Sequence, residues 1–508
     1  MNEKAVWADQ STPRFPALDG DHDFDVAIIG AGITGATAAY LLQKAGLRVV
    51  VLERHRCGQG ETSATTAHLT YVTDARLTDL ADRYGREQAR NVWNAGRDAL
   101  DQMDSLVREL QIDCGFTRVP GYLTAALDRT DPDAALLDRE CELAAALGFS
   151  ARRVDRAPVF GRPAIEFANQ AIIHPGRYLS GLLWAASNAG CRIFENSAAK
   201  HFASEGGRLR IQANGHTITC PYVIIATNMP LTGVSSTITA TLLQTKMSGY
   251  TSYAIAGAVP HGRVQPVCLW DVGDPYYYLR TLSGPDSDWV IFGGLDRKTG
   301  QDNNPRSRFD QLRGKLSTYL PGVNWRHEWC GQIVESQDDL PLIGETHPQQ
   351  FICTAYSGNG LTFGTCAALM ARDGVLRRDN PWFRIFDPKR ALQPGRWWRY
   401  IKENADYPYF LVKDRIAHDA AFESIAPGQG AIVSMNGTRT AVHRDEFGAA
   451  TLLSPVCPHL GCIVHWNNAA HTWDCPCHGS RFAPNGDLLS GPAESGLRHI
   501  DVSQPRRA

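Results

Sequence analysis

Nowhere in its 508 residues does the chain hold 18 consecutive apolar residues free of charge, so the sequence offers no transmembrane helix. It also lacks a basic segment followed by an apolar one at its start. Residues 1–23 read instead as a polar, proline-containing lead-in, and the chain is expected to stay in the cytoplasm. An excess of one charge is missing too. A net charge of −2 gives no hint of nucleic acid or an anionic membrane as partner, and neither is expected. Of the 16 histidines, no two stand four or five positions apart, the spacing by which two histidines and a carboxylate hold a mononuclear iron; an oxygenase built on such iron is disfavoured. There is no internal repeat and no low-complexity tract. Nine of the 13 cysteines are scattered singly before residue 367, which suits buried reduced thiols better than a disulfide scaffold.

What is present is an ordinary globular composition, 43% apolar and 20% charged, in a chain too long for one core. Two or three domains are expected. The densest signal lies near the end: Cys457-Pro-His459-Leu-Gly-Cys462, then Cys475-Pro-Cys477-His478-Gly-Ser480. Each half offers one thiolate and one imidazole. Two thiolates can hold one iron of a [2Fe–2S] cluster and two imidazoles the other, and neutral ligands make the reduced state easier to reach. Tetrahedral zinc is the alternative for the same four side chains. It leaves Cys462, Cys477 and the flanking Gly and Pro unexplained.

This pattern, down to the string CPCHGS, resembles the Rieske iron–sulfur domain. The resemblance implies that Cys457, His459, Cys475 and His478 are cluster ligands and that Cys462 and Cys477 form a disulfide between the ligand loops. Closing a loop of about 15 residues contributes roughly 3 kcal/mol on the chain-entropy model. Such a bond is unusual for a cytoplasmic protein. The resemblance gives Ser480 a hydrogen bond to a cluster sulfur and places Gly491-Pro492 in a loop covering the cluster. Phe482 departs from the tyrosine of high-potential relatives. Losing one hydrogen bond of about 1 kcal/mol should lower the potential by some tens of millivolts.

Residues 25–53 hold the second signal. Asp25-Val-Ala-Ile-Ile-Gly30 reads as a buried strand, Gly30-Ala-Gly32-Ile33-Thr34-Gly35 as the turn into a helix reaching Lys44, and Arg48-Val-Val-Val-Leu52 as the next strand, ending at Glu53. Gly30 permits the turn, Gly32 lets the backbone approach a pyrophosphate, and Gly35 lets helix and strand pack closely. The helix N-terminus then faces phosphates, and Glu53 is placed to accept from an adenosine ribose. The loop Gly60–His68, with Thr62, Ser63 and Thr66, resembles that of the D-amino-acid oxidase and glycine oxidase family of FAD enzymes. So do Pro221–Thr227 with Ala226, Asp339–Gly344, and Tyr356–Thr362 with Gly358, Gly360, Leu361 and Thr362. The resemblance covers roughly residues 24–376 and implies FAD held by these residues together with Arg54. Asn228 departs from the usual glycine. A second Gly-x-Gly-x-x-Gly is absent, so a separate NAD(P)H domain is not expected.

The expected fold is an α/β Rossmann-like FAD-binding domain with an interleaved α+β substrate domain, followed by a small all-β Rieske domain. Nucleotide-binding parts fall at about 24–75, 166–235 and 330–376, and substrate parts at about 76–165 and 236–329. Residues 377–418 read as a linker that packs on something, because Trp397 and Trp398 are costly to leave wet; residues 419–508 form the Rieske module, with a hairpin about Asn436-Gly437. Amphipathic helices are expected over Leu77–Gly85, Glu87–Leu110 and Asp133–Leu147, and strands over Tyr276–Arg280 and Trp289–Phe292. Arg280 is either a carboxylate clamp or, more simply, a surface ion-pair partner. Cys330 is either a covalent flavin anchor or a buried thiol, and His174 either a family contact or a turn residue. No catalytic base stands out. The resemblance implies oxidation of an amine or amino acid C–N bond, with one-electron transfer between flavin and cluster and an electron acceptor or donor that the sequence does not identify. A redox sensor or electron carrier without organic substrate is the alternative of another class.

Overall fold

The computed structural model describes residues 1–508 except 9, 230–242, 392–406, 412, 416–419, 436 and 501–508. Trp397, Trp398 and Asn436 lie outside the described residues. The runs Val26–Ile29, Val49–Leu52 and Tyr222–Ile225 are apolar almost throughout, as strands covered on both faces must be. They pair in parallel, Val26–Ile29 in the middle. Arg192–Phe194 extends the sheet beyond Val49–Leu52; Gln350–Thr354 and then the antiparallel Leu342–His347 extend it the other way.

Helices Ile33–Lys44 and Gly360–Val375 cover one face, and small residues bring them close. A Cβ at Gly364 would stand 2.7 Å from the Thr34 hydroxyl. The opposite face packs on a small sheet that includes Arg208–Ala213 and His216–Cys220, with Leu209, Ile211 and Ile218 against Ala27, Ile29 and Val50.

A nine-stranded sheet forms the second layer system, running Asn324–Ser336, Met247–Val259, Asp288–Lys298, Tyr277–Ser283, Cys268–Asp271, Thr117–Thr124, Ala164–Ile172 and His68–Leu69, with Ala151–Val154 also on Ala164–Ile172. Helices Leu77–Tyr84, Arg86–Glu109 and Ala134–Ala146 stand where the apolar spacing places them. Glu140, on the last of these, is fully buried and accepts from Leu77 N (2.7 Å) and Thr78 N (3.0 Å). A carboxylate brought in from another helix thus caps the first one, where the helix dipole favours negative charge.

The C-terminal part is all β. Gly430–Met435, Thr438–Arg444 and Ala450–Leu453 make one antiparallel sheet; His465–Asn467, Thr472–Asp474, Arg481–Phe482 and Leu488–Ser490 make the other. Trp473 and Phe482 fill the core between them. The connection from residue 377 is docked where it is described. Arg390 clamps Asp338 through two bonds of 2.7 Å, and Lys246 Nζ donates to the carbonyls of Pro388 (2.9 Å) and Arg390 (3.0 Å).

Candidate functional site

The two ligand loops share one backbone conformation. Cys457 N donates to Cys462 O (2.8 Å) and Gly461 N to Cys457 O (3.0 Å); Cys475 N donates to Ser480 O (2.8 Å) and Gly479 N to Cys475 O (3.0 Å). Gly461 (φ +81°) and Gly479 (φ +76°) hold the same left-handed position, which explains a glycine four residues after each cysteine. The loops are joined by the Cys462–Cys477 disulfide.

Cys457 and Cys475 are buried and hydrogen-bonded to each other, and the rings of His459 and His478 meet edge to face at 4.9 Å. Both Nδ1 atoms are buried without a partner among the described residues, and burial pushes both imidazoles down to about 4, so the rings are neutral, as metal ligands must be. Sulfurs of Cys462, Cys475 and Cys477 also lie within 4.8 Å of one another, but two of those are consumed by the disulfide. Two thiols and two orphaned Nδ1 atoms fit a [2Fe–2S] cluster. Ser480 lies between, bonded to Cys457 on one side and accepting from Ala493 N (2.9 Å) on the other. Phe482 is fully buried behind the cluster loops.

A cavity of about 770 Å³ begins at the glycine turn. Gly30 sits at φ +101°, and a Cβ there would be 2.6 Å from Ala226 O; a Cβ at Gly35 would be 1.9 Å from Gly30 O. Gly32, the N-cap of helix Ile33–Lys44, has no side-chain cap and faces the cavity. Glu53 ends its strand with both oxygens engaged, Oε2 accepting from Ala31 N (2.9 Å) and Oε1 from His55 N (3.0 Å). It therefore shapes the turn as well as facing the cavity. Thr62 Oγ1 accepts from Ile33 N (3.1 Å), tying the hydroxyl-rich loop to the helix start.

Ile33, Thr34, Arg54, Thr62, Ser63, Thr66, Ala226, Gly358, Gly360 and Leu361 also line the cavity. Three expected residues stand elsewhere. Gly35 packs behind the turn, buried Thr362 donates to Thr70 O (3.1 Å), and Gly344 faces Pro388, whose Cδ would be 2.9 Å from a Cβ. The chain from residue 377 folds back onto that glycine. Buried Asn228 Nδ2 lines the cavity with no partner among the described residues. The uncapped helix start, the open face of Gly32 and this orphaned donor fit an FAD pyrophosphate and its flanking groups.

At the other end the walls are Trp270, Tyr276 and Tyr278, with His68 against them at ring distances of 5.3 Å (Trp270) and 6.2 Å (Tyr278). Burial, reinforced by Arg280, pushes the His68 imidazole down to about 3, and neither ring nitrogen has a partner among the described residues. Arg280 itself is neither a clamp nor a surface residue. It is fully buried, and Nη1 donates to Ala67 O (2.7 Å), Ile173 O (2.8 Å) and Thr66 O (3.3 Å), fixing the Thr66–Ala67 segment against the large sheet. Cys330 is not among the lining residues, although its neighbours Trp329 and Gly331 are. His174 caps the helix Pro175–Asn188, its Nδ1 accepting from Arg177 N (3.2 Å).

The C-terminal module closes one side of this cavity with Arg481, Ser490, Gly491, Ala493 and Glu494. Gln332 Nε2, from the large sheet, donates to Gly479 O (2.7 Å), and Gln301 Nε2 to Pro476 O (2.8 Å). Arg481 meets Glu61 (3.3 Å) and the fully buried Asp474 (3.4 Å). His459 Nε2 stands 2.9 Å from Gln244 Oε1. Sequence reasoning missed Gln332, Ala493 and Gln244, none of which belongs to a motif.

Oxidoreductases that join a flavin to a [2Fe–2S] centre are the class this geometry corresponds to. Residues 25–373 match the family model of the FAD dependent oxidoreductases (DAO), residues 417–501 that of the Rieske [2Fe-2S] domain, and the chain belongs to that oxidoreductase family with a Rieske domain at its C-terminus. The Rieske 2Fe-2S iron-sulfur protein YhfW of Bacillus subtilis (strain 168) is 32% identical over 497 residues, 96% of each chain. Gamma-glutamylputrescine oxidoreductase of Escherichia coli (strain K12) is 23% identical over 419 residues, 79% of this chain and 95% of its own. Glycine oxidase from Geobacillus kaustophilus shares the fold with a TM-score of 0.61 at 19% identity, over 73% of this chain and 100% of its own. FAD and a [2Fe–2S] cluster are the cofactors. No helix among the described residues is long and apolar enough to cross a membrane.

Cys462→Ser keeps Cys457, His459, Cys475 and His478 and removes the tie between the loops. The cluster's visible absorbance is expected to decay several-fold faster on warming, since roughly 3 kcal/mol of loop constraint is lost. Equal decay in variant and parent would show the bond to be idle.

Proposed function

We propose that the protein oxidises the C–N bond of a small amine or amino acid and moves the electrons singly between flavin and cluster. Bound FAD would take two electrons as a hydride and the bound cluster would carry one at a time. The observation that carries the reading is Ala493. It faces the flavin cavity, and its N–H bonds the Ser480 hydroxyl that in turn bonds Cys457, so two residues, Ala493 and Ser480, link the cavity to Cys457. Gln332 makes a second bridge from the cavity wall to Gly479. In this reading Gly30, Gly32 and Glu53 position the nucleotide, Cys457, His459, Cys475 and His478 hold the cluster, and the chain divides at about 24–376 and 419–508. Aromatic walls at Trp270, Tyr276 and Tyr278 exclude water from the reacting end. The E. coli relative and the glycine oxidase fold favour C–N oxidation as the reaction.

The test is an oxygen-free mixing experiment. An amine or amino acid substrate should bleach the flavin first, and the reduced-cluster signal should follow at a rate independent of protein concentration, because transfer stays within one chain. Flavin and cluster that titrate without exchanging electrons would sink the proposal and leave the cluster a sensing or structural element.

A further inference from the structure

Among the described residues, no unpaired cation lines the aromatic end of the cavity. The guanidinium groups lining the cavity are Arg54, Arg56 and Arg481. Arg56 is paired with Glu195 at 2.9 Å, Arg481 with Glu61 and Asp474, and Arg54 reaches towards Leu488 O. Arg280, on the same strand as Tyr278, is not among the lining residues; its Nε and Nη1 donate to four main-chain carbonyls, and its Nη2 is buried with no partner among the described residues. In place of a cation the aromatic end holds Asp296 and Asp74. Asp296 Oδ1 is buried and has no partner among the described residues, and Arg297 beside it is exposed and donates to the Asp296 main-chain oxygen instead.

Asp74 stands at a neck. It and Ser357 line both the large cavity and a second one of about 440 Å³, whose other walls include Asp79, Asp82, Glu335 and Asp339. Arginines answer some of these: Arg76 pairs with Asp79, Arg139 with Asp82 and Arg83 with Asp339. Asp74 has no cationic partner among the described residues. The Asp74 side chain is exposed to the space of the two cavities, yet its depth in the fold, with Glu335, Asp296 and Asp339 as like-charged neighbours, holds its carboxyl well above the usual range. A cation from outside the protein would supply the compensating charge.

Aromatic faces and carboxylates together are the chemistry that recognises an ammonium ion. We propose that the substrate is a diamine or longer oligoamine lacking a carboxylate, its reacting amine among Trp270, Tyr276 and Tyr278 and a second ammonium at Asp74. The inference rests on the amine-oxidising reading above. One C–H hydride leaves with its electron pair for the flavin, one N–H proton goes to solvent, and the C–N single bond becomes C=N.

The experiment measures equilibrium binding to the oxidised holoprotein, by perturbation of flavin absorbance without oxygen. The probes are 1,4-diaminobutane, n-butylamine and glycine. The diamine is expected to bind at least tenfold more tightly than butylamine, and glycine at least tenfold more weakly than either. Asp74→Asn should remove most of the diamine's advantage while butylamine affinity stays within twofold, which also reports that the variant is folded. Equal binding of diamine and monoamine by the parent protein, or tighter binding of glycine, overturns the inference whatever the variant does. Flavin bleached equally by all three probes would overturn it and leave the oxidative reading standing. Tight diamine binding without bleaching would support the diammonium site and overturn the oxidative reading.

Discussion

Replacing Gly32 with valine is expected to strip FAD from the purified protein and leave the [2Fe–2S] cluster in place. Gly32 has ordinary extended torsions (φ −79°, ψ −170°), so valine brings no backbone strain there. The damage is one of volume. A Cβ at this position would lie 3.1 Å from Thr62 Oγ1, the hydroxyl that fixes Ile33 N, and two further methyl groups would occupy the face where the backbone has to meet a pyrophosphate. A loss of more than about 100-fold in FAD affinity is expected, since the helix-terminal N–H groups can no longer reach the phosphates. The cluster cage depends on none of this. Its loops have their own backbone bonds, their disulfide and the core around Trp473 and Phe482. Flavin and iron content, measured on the same preparation, decide the matter. Stoichiometric FAD in the variant would mean that the glycine turn does not bind the pyrophosphate. Loss of both cofactors together would mean that the two modules fold as one unit.

The second large effect is expected from His459→Ala. It removes one of the two imidazoles proposed as cluster ligands, so the visible absorbance and the reduced paramagnetic signal of the cluster should be lost entirely. The cavity lies on the far side of Ala493 and Ser480, and an amine should still bleach the flavin at close to the parent rate. Turnover with a one-electron acceptor should fall by about 100-fold or more, because the variant removes a path and leaves the hydride step untouched. Undiminished turnover with that acceptor would remove the cluster from the electron path. Zinc without iron or sulfide in the parent protein would remove the cluster altogether.

Both predictions address motifs that a reader of the sequence alone can find, and the reason is physical. Cys457–Cys462 and Cys475–Ser480 each close on themselves through bonds four and five residues apart, and Gly30–Gly35 is a strand–turn–helix unit in which Gly35 packs directly on Gly30 and Ile28. Local backbone conformation is encoded locally, so spacing and residue type sufficed for the ligands and the nucleotide turn. The amphipathic helices were legible for the same reason, with ends within a residue or so of their apolar pattern.

What tertiary structure alone decided is which side of an element a residue serves. Arg280 offers a clamp or a surface ion pair in sequence, yet two segments, Thr66–Ala67 and Ile173, bring three carbonyls to it and make it an internal brace. Gly344 lies in a flavin-family segment, but the returning chain sets Pro388 against it and the cavity is elsewhere. Asp74, Asp296 and Glu335 are unremarkable acids far apart in the chain until a nine-stranded sheet and a loop gather them around one neck. Ala493 has no chemical signature at all. Its importance comes from standing between two modules, a property of long-range packing that residue type and spacing do not contain.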